Sequence, residues 1–303
     1  MVLLSGNLRT FRFGAAGLAT FLANDPRFHG RPHYVFLHTW EELESSEQTW
    51  WKKAGPPPRV LPSLTPAATL NDSSVNPWAG SPRFSAVVEP FDSASIPVPT
   101  NSPPSLFSQH VQWETRRRVY HHARAWLAAH GVELAPSTVV IKTRPDADYL
   151  NTPDLAEMEE VLWRRPSTFF GFCKGGAKFP HRIADSAWIT SLRTHRALDS
   201  FPYTSAQHIV LKSKVEPEVN FASILAFAQI KTVLEVVGVR FCRVRWLPPA
   251  QQGGGAGVAK GSCLQHSKWD RDAAGHPDGR MPALAPWLAK AKDDTAWSEL
   301  PFG

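Results

Sequence analysis

Short apolar runs alternate with helical patterns along the chain. Residues 2–4 read as a buried strand ending at Ser5-Gly6, and residues 15–22 as a helix. Residues 33–39 (HYVFLHT), aromatic and β-branched, predict a second strand, with a second helix over residues 41–53. Residues 106–130 carry the longest helical pattern; Val111, Val119, Ala123, Trp126 and Leu127 share its apolar stripe, and Gly131 supplies a stop. Thr138-Val139-Val140-Ile141 is β-branched throughout and predicts a central strand covered on both faces, continuing to Thr143. Helix returns over residues 154–163 and strand over 168–173, while residues 187–198 show no single period. Residues 218–230 read as helix, and 232–245 as containing at least one strand. Strand and helix in alternation predict an α/β domain spanning residues 1–247.

Two stretches interrupt the pattern. Residues 54–105 are broken by prolines and hold one strand-like segment, residues 84–89 (FSAVVE); the rest reads as an irregular surface excursion. From Pro248-Pro249 the chain passes through Gly253-Gly254-Gly255 into a tail over residues 248–303, with Trp269, Trp287 and Trp297 to pack back on the domain.

Composition narrows the classes of function. Hydrophobic content of 43% and charged content of 20% belong to a folded domain. The net charge of +6 is spread along the chain, and its densest run, Arg116-Arg117-Arg118, fans around a helix as a solvated or ion-paired face. No nucleic-acid partner is therefore expected. Cys173, Cys242 and Cys263 lack the spacing of a disulfide framework or a zinc site. No run reaches the roughly 20 apolar residues of a membrane span, and the opening residues are too short an apolar run for a signal peptide, so a cytoplasmic location is expected.

The chemistry concentrates where the central strand meets Arg144-Pro145-Asp146-Ala147-Asp148. Ligands of open α/β sheets bind beyond the carboxyl ends of the strands, where the loops diverge. Pro145 disfavours helical backbone at Arg144, and in an extended run Arg144, Asp146 and Asp148 share one side. Two carboxylates so placed suit a divalent metal, Mn or Mg, bridging two phosphates, while the guanidinium offsets the charge of a departing diphosphate. Asp-x-Asp by itself is a common spacing; a solvated turn with internal ion pairs would use the same residues.

Four segments resemble WavE-like and related glycosyltransferases of bacteria, algae and large viruses, in the same order: LLSGNLRTF (residues 3–11), YVFLHTWEEL (34–43), VVIKTRPDADYL (139–150) and IADSAWITS (183–191). The best motif is Thr143-Arg144-Pro145-Asp146. The resemblance implies a GT-A-like (Rossmann-like) mixed sheet flanked by helices, a nucleotide-sugar donor and a glycan or other hydroxyl acceptor. It places Ser5, Gly6 and Arg9 beside the donor nucleotide and Asp146 at the metal and diphosphate. Members often carry an apolar residue where this chain has Asp148, so the second acid is a departure.

An inverting transfer needs a carboxylate to take the acceptor's proton. Asp185 is the first candidate, lying between sheet elements and within a matching segment; Glu218 is the second, although an acid following Pro217 is also favoured there by a helix dipole. Arg9, after a glycine-containing turn, suits bidentate phosphate contact. Trp40, Trp50 and Trp51 are candidates for stacking on sugars. His121 and His122, adjacent on a helix, do not face one ligand, and His38 reads as a satisfied core residue. GGAGVAKGS (residues 254–262) lacks the glycine before and the hydroxyl after its lysine that a phosphate loop requires, since Ala259 and Gly261 stand there. Two alternatives use the same acids: a binding module without turnover, and an Asp-x-Asp phosphatase or phosphotransferase. The latter fits less well, because Thr143-Arg144-Pro145 separates the acids from the apolar strand.

Overall fold

A computed structural model of the chain describes residues 1–6, 8, 11–23, 33–41, 65–96, 104–145, 147–149, 155–173, 183–200, 232–235 and 241–243. Its centre is a strand buried along its whole length, β4 (Val139–Thr143), with β1 (Val2–Ser5) on one side and β7 (Ile183–Ser191) on the other. The β-branched run predicted this element. β1 lies parallel to β4, with Val2 opposite Ile141 and Leu4 opposite Thr143, whereas β7 is antiparallel, with Trp188 opposite Lys142.

Around that pair the main sheet has seven strands in the order β3-β2-β1-β4-β7-β6-β8, adding β2 (Val35–Trp40), β3 (Phe84–Glu89), β6 (Thr168–Cys173) and β8 (Thr232–Glu235). β7 alone runs against the others. A two-stranded ribbon pairs β5 (Ala147–Tyr149) with β9 (Phe241–Arg243).

Helices cover both faces, as an α/β sheet buried on two sides requires. One face packs α1 (Phe11–Ala23), α2 (Pro66–Asn71) and α4 (Leu155–Arg164) through Phe11, Leu18, Leu70, Met158 and Leu162 against Leu4, Leu37, Ile141 and Phe170. The other packs α3 (Pro104–Ala129) and α5 (Leu192–Asp199), whose Val119, Ala123, Leu127 and Leu192 meet Leu3, Phe36 and Val140. α3 ends as predicted at Gly131, in the left-handed region with φ 62°; the Val132 amide donates to Leu127 O and the Gly131 amide to Ala128 O. Those two bonds satisfy carbonyls that the helix end leaves open.

Two expectations change. The strand predicted at residues 84–89 exists, but it is the edge strand of the main sheet, paired in parallel with β2, and residues 65–83 before it pack on the core. Thr65 caps α2 by accepting from the Ala68 amide at 3.1 Å, Leu70 is buried, and Asn76, fully buried, donates to Leu70 O at 2.7 Å. The proline-rich composition hid a short capped helix and three turns. The ambiguous stretch 187–198 is the end of β7 followed directly by α5: Ser191 ends the strand and caps the helix, its Oγ accepting from the Thr194 amide at 3.1 Å. A period of two passing to 3.6 at one residue reads as neither. The helix predicted over residues 41–53 lies, after Glu41, outside the described residues, as do the helix predicted over 218–230 and the tail 248–303.

Gly131→Ala is expected to destabilise the protein by about 1 kcal/mol, a backbone effect alone, because a Cβ there meets nothing within 4 Å. Urea unfolding measures it; an unchanged midpoint would mean that the helix end relaxes.

Candidate functional site

The direction of the chain reverses its march across the sheet after β3: β2 and β3 add on one side of β1, and β4 returns to its other side. β1 and β4 thus flank the point where the strand order reverses, and sheets of this kind admit ligands beyond the carboxyl ends of strands at such a point. Ser5 and Gly6 leave β1; Arg144 and Pro145 leave β4. Gly6 has φ 133°, and a Cβ on it would lie 3.5 Å from Pro145 Cδ. The two loops are thus in close approach, with the Gly6 amide anchored on His38 O at 3.3 Å. Ser5 is buried and Arg144 is half-buried.

The loop after β4 departs from the predicted continuous extension. Pro145 sits in a turn, the Ala147 amide donates to Arg144 O at 3.3 Å, and the chain then enters β5, where Asp148 pairs with Cys242. Proline at the second position favours such a turn. Two-residue alternation accordingly does not carry through from Arg144 to Asp148, and the shared orientation inferred from it is withdrawn. Asp146 lies outside the described residues, as do Arg9 and Glu218, and the side chains of Asp148 and of Asp185, which is in β7, are also outside them. Of the predicted site residues, the structure thus brings together Ser5, Gly6 and Arg144. Among the described residues no group of three or more His, Cys, Asp or Glu is placed to hold a metal.

Other candidates resolve into the core. Trp40 is 4% exposed, its ring edge-on to His38 and Phe91 with the Arg118 guanidinium over its face, so it offers no platform to a sugar. Trp50 and Trp51 lie outside the described residues. His122 Nε2 is 2.9 Å from Ser85 Oγ, and His121 is 3.4 Å from Asp199. Arg117 and Arg118 both pair with Glu114, as an ion-paired helix face should. Arg116 differs: it is buried, its guanidinium 5.2 Å from the ring centres of both Trp113 and Trp188.

A polar layer under α3 was missed. Lys142, facing α3 one residue before the end of β4, is 2% exposed with Nζ 4.8 Å from the Trp188 ring centre, so two buried cations rest on one indole. Its signal was present: a lysine inside an otherwise apolar, β-branched strand. His195 of α5 packs edge-on against Tyr120, and burial together with the charge of Lys142 pushes its imidazole down to about 3. At the edge, the buried His38 faces Glu89 through Nε2 at 3.2 Å, and Arg118 clamps the same carboxylate. Burial lowers the basicity of His38. Burial pushes Glu89 up, but hydrogen bonds and charges from His38 and Arg118 outweigh it and hold the carboxyl below its usual range.

No helix of the described residues is long and apolar enough to cross a membrane. No family model matches the chain, and no curated protein matches it.

Two outcomes follow. Gly6→Ala should cost about 1–3 kcal/mol, because a side chain at that φ is strained even where space exists; thermal unfolding at matched pH measures it. His195 binds its proton more readily unfolded than folded, so its contribution is complete above 6.5 and is lost as pH falls below it, by about 1.4 kcal/mol per pH unit. His195→Phe should flatten the fall in unfolding free energy between pH 6.5 and 4.5; an unchanged slope would exclude His195 as its source.

Proposed function

We propose that the chain is a glycosyltransferase with a GT-A-like fold, moving a sugar from a nucleotide-sugar donor to a hydroxyl acceptor such as a glycan. The observation that carries this reading is the close approach of Gly6 to Pro145 across the point where the strand order reverses. It brings Ser5 and Gly6 beside Arg144 and Pro145 at the carboxyl ends of β1 and β4, with Asp146 and Asp148 following directly in the chain. A mixed sheet covered by helices on both faces is compatible with that fold, and the resemblance of the four ordered segments supports it.

In this reading the donor diphosphate lies across the two loops. Gly6, at a φ that favours glycine, lets the β1 loop pack against Pro145, and the Arg144 fork neutralises the phosphate oxygens. Asp146 and Asp148 offer hard oxygen ligands. Either or both would hold a magnesium- or manganese-type ion, which prefers such oxygen ligands. When bound, that ion offsets the negative charge of the leaving diphosphate. The acceptor oxygen bonds to the anomeric carbon as the bond from that carbon to the diphosphate oxygen breaks. Asp185, or Glu218 in its place, takes the acceptor's proton.

Donor hydrolysis and transfer should depend on added manganese, and Asp146→Asn should lower kcat about a hundredfold or more, the scale of losing charge stabilisation at a leaving group. Asp148→Asn should lose less, in keeping with its supporting place. Unchanged activity in both variants would sink the assignment; tight nucleotide binding without turnover by the unaltered protein would favour a binding module.

A further inference from the structure

β3 is the last strand on its side of the main sheet, and its pairing with β2 decides which of its backbone groups point away. The Arg83 carbonyl accepts from the Val35 amide at 2.9 Å and the Glu89 carbonyl from the Glu41 amide at 2.8 Å, in a register unbroken from Phe84 to Glu89. Successive residues of a strand turn their backbone groups to opposite edges, so Arg83, Ser85, Val87 and Glu89 serve β2. Phe84, Ala86 and Val88 therefore present amides and carbonyls outward, where among the described residues only the Phe84 amide is met, by Ser81 O at 3.1 Å. Open edges are ordinarily blunted by a lysine, a proline or a bulge. None stands between Phe84 and Glu89, and every residue of the strand is half-buried. The side chains tell the same story. Val75, Trp78, Phe84, Ala86 and Val88 pack on the core under α1, α2 and α4 yet stay half-buried, with Trp78 stacked on Phe84 at 6.4 Å, so that core runs out unfinished along this edge.

We propose that a second copy of this chain covers the edge, its β3 antiparallel to the first about a twofold axis at Ala86, so that the two sheets become one. The choice of occupant follows from the strand's own sequence. Set against itself about Ala86, the segment places Phe84 opposite Val88, Ser85 opposite Val87, and Arg83 opposite Glu89 at both ends. The two Ala86 residues exchange amide-to-carbonyl bonds, and each Val88 amide meets the Phe84 carbonyl across the axis, which leaves the Phe84 amide with Ser81. Arg83 and Glu89 fall at the closer, non-hydrogen-bonded spacing, where opposite charges on facing strands attract. Arg83 is exposed, and the Glu89 carboxylate, 35% exposed beside Arg118, keeps acceptor positions for it. An unrelated strand would have to match the charge at each end and the small residue at the centre; a second copy does so by symmetry. Such a contact uses the same patch on both subunits and closes at two.

The experiment is sedimentation velocity of the full chain over a range of concentrations, with thermal unfolding of each variant alongside. The unaltered protein should dimerise with a Kd on the order of 1–10 µM, the weak end for a specific interface. Ala86→Pro removes an outward amide, a change that edge strands tolerate, and should weaken the dimer about tenfold or more while the protein still unfolds cooperatively. Arg83→Glu sets like charges opposite each other at both ends and should weaken it about tenfold at low salt, less as salt rises. Under mild oxidation Ala86→Cys should give a cross-linked dimer that the unaltered protein does not, because the paired Cα atoms stand about 5.5 Å apart across the axis. A monomer at every concentration would overturn the proposal and leave the edge to a different chain. A dimer that Ala86→Pro does not weaken would place the contact elsewhere and overturn it too. If Ala86→Pro fails to fold, the other two variants decide: undiminished association of Arg83→Glu together with no cross-link in Ala86→Cys rejects pairing through β3.

Discussion

The pairing of β1 with β4 governs the rest of the molecule. Val2 and Leu4 lie opposite Ile141 and Thr143, and β4 is covered on both faces, so a one-residue slip would drive Leu3 and Val140 out of one core and Val2 and Ile141 out of the other. A register held that firmly fixes where each strand ends. Ser5 and Thr143 finish close to the same level, and the loops that follow are brought to each other without any need for contacts of their own. The approach of Gly6 to Pro145 is a consequence of core packing at the other end of the same strands.

The two faces of the sheet solve different problems. Under α1, α2 and α4 the core is aliphatic and aromatic, the ordinary outcome of burying apolar area at about 25 cal/mol per Å². Under α3 the apolar cluster extends only partway. Toward the carboxyl ends it gives way to Lys142, Arg116, His195 and His38, set among Trp113, Trp188, Tyr120 and Trp40. Charges in such a setting are tolerable because aromatic faces and carboxylates replace part of their hydration. A core that turns polar toward the carboxyl ends of its strands has given up packing energy there.

Much of this was legible from the chain. The strand at residues 138–143, the helix ending at Gly131 and the strand at 84–89 each announced themselves through a single local cause: β-branched runs, an apolar stripe with a glycine stop, a strand-like apolar run between prolines. What misled was any signal with two local causes at once. Ser191 closes a strand and caps a helix, so residues 187–198 showed neither period cleanly. Pro145 argued for extension through Arg144, but the chain turns at Pro145. Trp40 was read for its chemistry, although its place on β2 beneath Arg118 put it in the core.

By itself the sequence determined the class of fold and most of its strands and helices, and it pointed to a short segment, Thr143 to Asp148, as the candidate for chemistry. These are local matters, decided by propensity, periodicity and turn chemistry within a dozen residues. Only the tertiary structure decided that Ser5 and Gly6 lie against Arg144 and Pro145, that His38 is held by Glu89 and Arg118, and that Lys142 and Arg116 share Trp188. Those partners are separated by about 30 to 140 positions in sequence. No local rule relates them, since contacts at that range follow from the order and register of strands, which the whole core sets together.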